Sequence, residues 1–337
     1  MHRRRYLESA GGVLGAALLA GCLDGVDSLA GDDQERAASA DDGEDDEDDS
    51  DTNDADRQIR TAAGRLNRSG ASLRESQGTL EDPEHTEYDP DEPGAFLAEG
   101  LEALEAAEAA DPTDEERADI DALYEYADVL EPMIEVTAIV TSDLGGDIDA
   151  INGAVEDGAL AEARSDTESL QSRFGDARAD LEPAVVSIDD LEAARLEERS
   201  ISSLDDVADG AEKLLSVTTS LETLADGMAS LVAGHQYLDD GREELNAQAF
   251  DDAIETFETA VGHYADTSGN MQSGGEDAPS GLLGYFDESY CQATNLEAAA
   301  ATFREAAEAG GDGDYERVED LRTDAESQVE AAHDCHR

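Results

Sequence analysis

Between Pro183 and Pro279 the chain contains no proline, and two apolar series interlock within that span. Val207, Leu214, Leu221, Met228 and His235 recur every seven residues, and so do Val217, Leu224, Leu231, Leu238 and Leu245. This is the a/d seam of a helix over about five heptads. At 1.5 Å per residue an unbroken helix of that length runs ~60 Å, with Gly227 and Gly234 as the points where it would break. A seam that long escapes water only against other helices, so the chain is committed to helix-on-helix packing.

The flanking sequence keeps the helical period. Leu97, Leu101 and Leu104 form a stripe that ends at Asp111-Pro112, and Thr113 with Glu116 reads as a capping box opening the next helix. Ile120, Leu123, Tyr124, Ala127 and Leu130 continue to Pro132, which kinks that helix or starts a new one. Met133 to Val140 is apolar enough to be deeply buried, Gly145-Gly146 ends it, and Ile148 to Val155 forms a short helix. Leu160, Ala163, Thr167, Leu170, Phe174, Ala177 and Leu181 make the next stripe, ended by Pro183. After the long seam a turn falls at 246–249, then Phe250, Ala253, Phe257, Ala260 and Tyr264 repeat three-four. Gly269 to Gly281 reads as a polar loop, and a last hairpin runs from Leu282 through a turn at 310–314 to His333. The expected fold is all-α, with irregular antiparallel helical hairpins in an elongated helical bundle over 91–337.

The first 21 residues carry a different message. Arg3-Arg4-Arg5-Tyr6-Leu7 precedes an uncharged run from Ser9 to Gly21, too short to span a bilayer and typical of an export signal. Arg3 and Arg4 ahead of the aromatic-Leu step resemble a twin-arginine signal, and Leu19-Ala20-Gly21-Cys22 resembles a lipoprotein box. That resemblance implies cleavage before Cys22, a lipid on its sulfur, and a mature chain anchored to the outer face of the cell membrane. From 22 to 56 the chain is dominated by Asp, Glu, Ser, Ala and Gly, which reads as a disordered tether. The acidic block Asp41 to Asp51 lacks the alternate spacing of an EF-hand loop. Residues 57–90 form a basic amphipathic segment and a Pro-rich linker. Ile59, Leu66, Leu73 and Leu80 make its stripe, and it either packs on the acidic body, frays, or lies on a membrane surface. Asn67-Arg68-Ser69 is a glycosylation sequon.

Charge bounds the partners. There are 86 acidic and 21 basic residues, a net charge of -65, and Lys213 is the sole lysine. Such a surface repels itself in dilute buffer. At ~1 M salt the Debye length falls to ~3 Å and the repulsion largely vanishes. The composition resembles that of salt-adapted, haloarchaeal-type exported lipoproteins. Nucleic acid is excluded as a partner, because displacing its counterions needs basic patches.

With Cys22 assigned to lipid, Cys291 and Cys335 remain, and an exported chain sits where such a pair oxidises. Asp312 lies 21 residues after Cys291 and 23 before Cys335, so a hairpin folded there brings the two level. The rival is a metal site from His333, Cys335 and His336, poor geometry on a helix. Leu160, Phe250 and Tyr315 open three similar helices, each after a tight turn. The stretch from Phe250 to Ala260 resembles the second helix of a tetratricopeptide repeat, and Gly313 to Arg317 resembles the turn of that motif. The resemblance implies tetratricopeptide-like hairpins in the C-terminal half.

No nucleophile elbow, P-loop, dinucleotide fingerprint or H-E-x-x-H run is present. His235 and Asp239 stand at i, i+4, but His235 lies on the apolar seam and reads as a core histidine. No catalytic residue, metal site or cofactor is therefore assigned. The expected function is a lipid-anchored, non-enzymatic interaction or scaffold module with a protein partner. The alternative is a solute- or cation-binding envelope lipoprotein, using the carboxylate-rich surface or a pocket near 269–281.

Overall fold

The long seam folds as one helix, and the rest of the molecule is built on it. The structure is a computed structural model describing residues 49–77, 80, 88–201 and 204–336, all within one compact unit, 46–337. The described residues form α1 (Asp49–Gln77), α2 (Asp91–Ala109), α3 (Asp114–Val140), α4 (Leu144–Glu156), α5 (Leu160–Ile188), α6 (Ala193–Glu198), α7 (Leu204–Asn246), α8 (Phe250–Asp277), α9 (Leu283–Gly311) and α10 (Tyr315–His333). A 3-10 turn, Asp334–His336, closes the description, and no strand occurs among the described residues. The all-α hairpin fold expected from the periodicity is the observed one.

Helix α7 carries 43 residues without a break. Its apolar positions from Val207 to Met228 lie in a core shared with α1 through α5. Leu231, Leu238 and Leu245 lie in a second core with α8, α9 and α10, while Val232 stays in the first. Gly227 and Gly234 do not interrupt it. They lie, with Gly241, against Met271, Tyr264 and Phe257 of α8, three side chains that themselves repeat every seven residues. The two rows run in opposite directions, so α7 and α8 are antiparallel and each glycine is the hollow for one knob. The missing Cβ lets the backbones approach, which offsets the ~1 kcal/mol that glycine costs in a helix.

The other pairs follow the same logic. Leu66 meets Gly100 across α1 and α2, Arg178 meets Glu222 across α5 and α7, and Phe250 meets Gly310 across α8 and α9. Thr302 meets Gln328 across α9 and α10. Three tight turns share one backbone device. Gly158, Gln248 and Gly313 have φ of 71, 62 and 81°, and the next residue's N–H reaches back across the helix end: Ala159 to Ala154, Ala249 to Glu244 and Asp314 to Ala309. These left-handed caps precede Leu160, Phe250 and Tyr315, which is why those three starts look alike in sequence.

Helix α3 opens on the expected capping box: Thr113 Oγ1 accepts from Glu116 N–H at 3.3 Å, and Glu116 Oε2 accepts from Thr113 N–H at 2.8 Å. Met133, Ile134, Val136 and Val140 are buried as expected. Pro132 lies inside that helix.

Three boundaries differ from the sequence reading. Pro183 does not end α5, which runs five residues further to Ile188, because Leu181 and Ala184 on either side of the ring remain packed in or against the core. Gly145 and Gly146 do not end α3 but form the first turn of α4, where Gly146 N–H donates to Asp143 Oδ1 at 3.0 Å. The polar stretch 269–281 is not a loop, since α8 continues to Asp277. Met271 is buried in the first core, and a Cβ on Gly274 would lie 2.6 Å from Phe286 Cε1, so burial overrides low propensity there.

Helix α1 begins at Asp49 and takes in the end of the stretch read as tether. Its stripe of Ile59, Leu66 and Leu73, with Leu80, is buried against the body. Its outward arginines pair with carboxylates, Arg57 with Asp54 and Arg65 with Glu99.

Candidate functional site

Arg3, Arg4, Leu19, Ala20, Gly21 and Cys22, and the acidic stretch to residue 48, lie outside the described residues. Cys291 of α9 and Cys335 of the terminal 3-10 turn are bonded, with Cα atoms 5.9 Å apart. The bond sits at the open end of the α9–α10 hairpin, and Asn295 Nδ2 donates to the Cys291 carbonyl at 2.9 Å beside it. With both sulfurs engaged, the rival metal set with His333 and His336 has lost its thiolate. Among the described residues no group of three or more His, Cys, Asp or Glu side chains is arranged for a metal. Asn67 stands in mid-helix, and Ser69 is fully buried with its hydroxyl donating to the Pro93 carbonyl at 2.9 Å. The sequon is thus part of the α1–α2 contact rather than a presented surface loop.

His235 occupies the last position of its heptad series, where the two cores of α7 meet. Its ring lies edge-on to Tyr264 at 5.9 Å. Burial, then His333 and Arg242, hold the imidazole down at about 4, so it is neutral at pH 7. With His333, Asn152, Glu156, Met228 and Gln292 it lines a cavity of about 20 Å³. That volume takes about one water. A neutral imidazole there lines a mostly apolar cavity without room for a substrate. Tyr264 is fully buried, its hydroxyl has no partner among the described residues, and burial with Asp239 holds the phenol well above its usual range.

A polar knot ties the first core. Asp119 of α3, nearly enclosed, accepts from Arg195 Nη1 at 2.8 Å and from Arg199 Nε at 2.8 Å, and Arg199 Nη1 also reaches Asp56 Oδ1 of α1 at 2.6 Å. These bonds fix α6 and the chain after it onto α1 and α3. Further along α3, more than three turns from Asp119, Glu131 is raised above the usual carboxylate range by burial and by Glu135 and Asp128.

Beside the end of α8 an open groove of about 540 Å³ runs along α7, lined by Glu212, Ser216, Thr219, Thr223, Ser273 and Asp277 among others. Thr219, Thr223 and Ser273 donate their hydroxyl protons back to the carbonyls of Leu215, Thr219 and Gly269. The groove therefore offers lone pairs and two carboxylates, chemistry suited to a cation or a polyol. Sequence reasoning pointed to this neighbourhood through its glycines, although the segment is helical. It missed the Asp119 knot and a second groove at the end of α7, lined by Arg242 and Arg322. The usable signal was scarcity: with so few cations, each arginine's place in the heptad register carries information.

No family model matches the chain, and no curated protein or solved structure is significantly similar to it.

Proposed function

We propose that this chain is an exported, lipid-anchored surface protein of salt-adapted, haloarchaeal type, whose tetratricopeptide-like hairpins bind a protein partner without catalysis. The observation that carries the interaction reading is a set of exposed tyrosines on the C-terminal hairpins: Tyr237 on α7, Tyr290 on α9 and Tyr315 on α10. Tyrosine supplies large contact area and a hydrogen-bonding tip at low entropic cost, and it is enriched where proteins meet. The Cys291–Cys335 bond supports the outer location, since such pairs persist in oxidising compartments. The box ending in Cys22 supports attachment to the membrane through lipid. Two measurements test this on intact cells in molar salt. Mass spectrometry of the membrane fraction should find a lipid-modified Cys22, and a photo-crosslinker at Tyr290 or Tyr315 should yield one dominant adduct that Tyr315→Ser weakens. Unmodified Cys22 on cytosolic protein, with no discrete adduct, would sink the proposal.

The Ser/Thr-lined groove beside α8 favours the second reading, a solute- or cation-binding lipoprotein. A thermal shift given by one specific ion or polyol, above that of sodium or potassium at equal ionic strength, and removed by Asp277→Asn, would place function in that groove instead.

A further inference from the structure

In a chain where acidic residues outnumber basic ones 86 to 21, an arginine without a carboxylate partner is the exception. Among the described residues Arg322 of α10 makes no ion pair or hydrogen bond. It lines, with Arg242, Leu245, Asn246, Phe303 and Glu326, an open groove of about 190 Å³ where the end of α7 passes α9 and α10. Arg242 is held by packing more than by pairing. Its guanidinium lies over the Phe303 ring at 4.9 Å, its contact with Asp239 is long at 3.4 Å, and its Nε is sealed from solvent with no acceptor. Stacking of this kind fixes the plane of the guanidinium before any ligand arrives.

Capping of α7 does not explain the two arginines. The carbonyls of Glu243, Glu244 and Leu245 already accept from the N–H groups of Ala247, Ala249 and Gln248. Nor does Glu326 neutralise Arg322. It stands one helical turn further on, lines the same groove and does not pair with it. The groove thus presents two guanidiniums, one unpaired carboxylate and the Asn246 amide within a volume that takes about ten heavy atoms.

We infer that this groove binds a small zwitterion of the α-amino-acid class, its carboxylate bridged by Arg242 and Arg322 and its ammonium held by Glu326. Guanidinium forks match a carboxylate through paired N–H donors. A net charge of -65 opposes any ligand that is anionic overall, whereas a zwitterion is neutral. At ~1 M salt only contact pairs survive screening, so the site must read its ligand at hydrogen-bond distance. Phosphate would meet the Glu326 carboxylate with no positive group to satisfy it. Glycine and alanine are the smallest members of that class and fit this volume.

The test is calorimetric titration of the full chain in molar potassium chloride with glycine, L-alanine, acetate, methylammonium and phosphate. Glycine and alanine should bind at one site per chain, at least tenfold tighter than acetate, with no heat from methylammonium or phosphate. Arg322→Gln should weaken glycine at least tenfold. Because Arg322 touches no partner, its melting temperature should stay within about 2 °C of the parent. Glu326→Gln should abolish the preference for glycine over acetate, by weakening glycine and leaving acetate equally or more tightly bound. No binding of either amino acid, phosphate or acetate binding as tightly as glycine, or full glycine affinity in a folded Arg322→Gln variant would each overturn the inference.

Discussion

Replacing Gly234 by alanine tests whether α7 is held by its hollows or by its seam alone. The new Cβ would lie 2.6 Å from Tyr264 Cε1 and 2.9 Å from Cδ1 and Cζ. Tyr264 is fully buried in the second core, and a ring cannot bend away as a flexible chain can. Overpacking of this kind costs about 1–3 kcal/mol, and a rigid neighbour points to the upper half of that range. Against it stands a gain of about 1 kcal/mol in helix propensity. The net expectation is a loss of about 1–2 kcal/mol, or a melting temperature lower by roughly 2–6 °C for a chain of this size. Gly262 in α8 and Gly153 in α4 are the controls, since nothing lies within 4 Å of a Cβ built there. Alanine at either should stabilise by about 0.5–1 kcal/mol. Thermal unfolding followed by far-UV circular dichroism in molar salt reads all three. If Tyr264→Leu is combined with Gly234→Ala, the pair should show a coupling above about 1 kcal/mol, because the loss of the ring empties the space the new Cβ needs. Stabilisation by Gly234→Ala equal to that by Gly262→Ala would refute the reasoning.

Four further outcomes follow from the same structure. Cys291→Ser, or reduction of the parent, should lower stability by up to ~4 kcal/mol in the chain-entropy model for a closed loop of this length, read as a lower denaturant midpoint with and without reductant. His235, held neutral at about 4 against an unfolded value of 6.5, binds fewer protons folded than unfolded between those limits. Its contribution is full above pH 6.5 and lost as pH falls toward 4, about 2 kcal/mol by pH 5, so the stability gap between parent and His235→Leu should change with pH across that window and stay flat above it. Asp119→Ala should cost about 2 kcal/mol in denaturant titrations at molar salt, since it strands Arg199 without its enclosed acceptor, whereas removal of the exposed Asp114 beside Arg117 should change little. Gln248→Gly should raise the melting temperature, since φ of 62° suits glycine better, by about 1 kcal/mol equivalent.

What the sequence determined is what repeats locally. A 3.6-residue period is a property of neighbouring side chains, so the seam from Val207 to Leu245, the Thr113–Glu116 box, the turns before Leu160, Phe250 and Tyr315 and the level of Cys291 with Cys335 were legible before any fold existed. The charge balance was equally legible, because it is a statement about composition alone. What only tertiary structure decided is whatever depends on which helix lies opposite. Gly227, Gly234 and Gly274 read as breaks until Met271, Tyr264 and Phe286 are seen lying over them, and Pro183 reads as a stop until Leu181 and Ala184 are seen packed on both sides of it. Arg242 and Arg322 are 80 residues apart, and their meeting in one groove is fixed by the antiparallel order of α7, α9 and α10. Backbone propensity costs about 1 kcal/mol at a helical glycine and about 3 at a proline, while each buried large side chain contributes about 1.5–3 and several flank every such position. Where the two disagree, burial wins, and burial is a property of partners that no local pattern specifies.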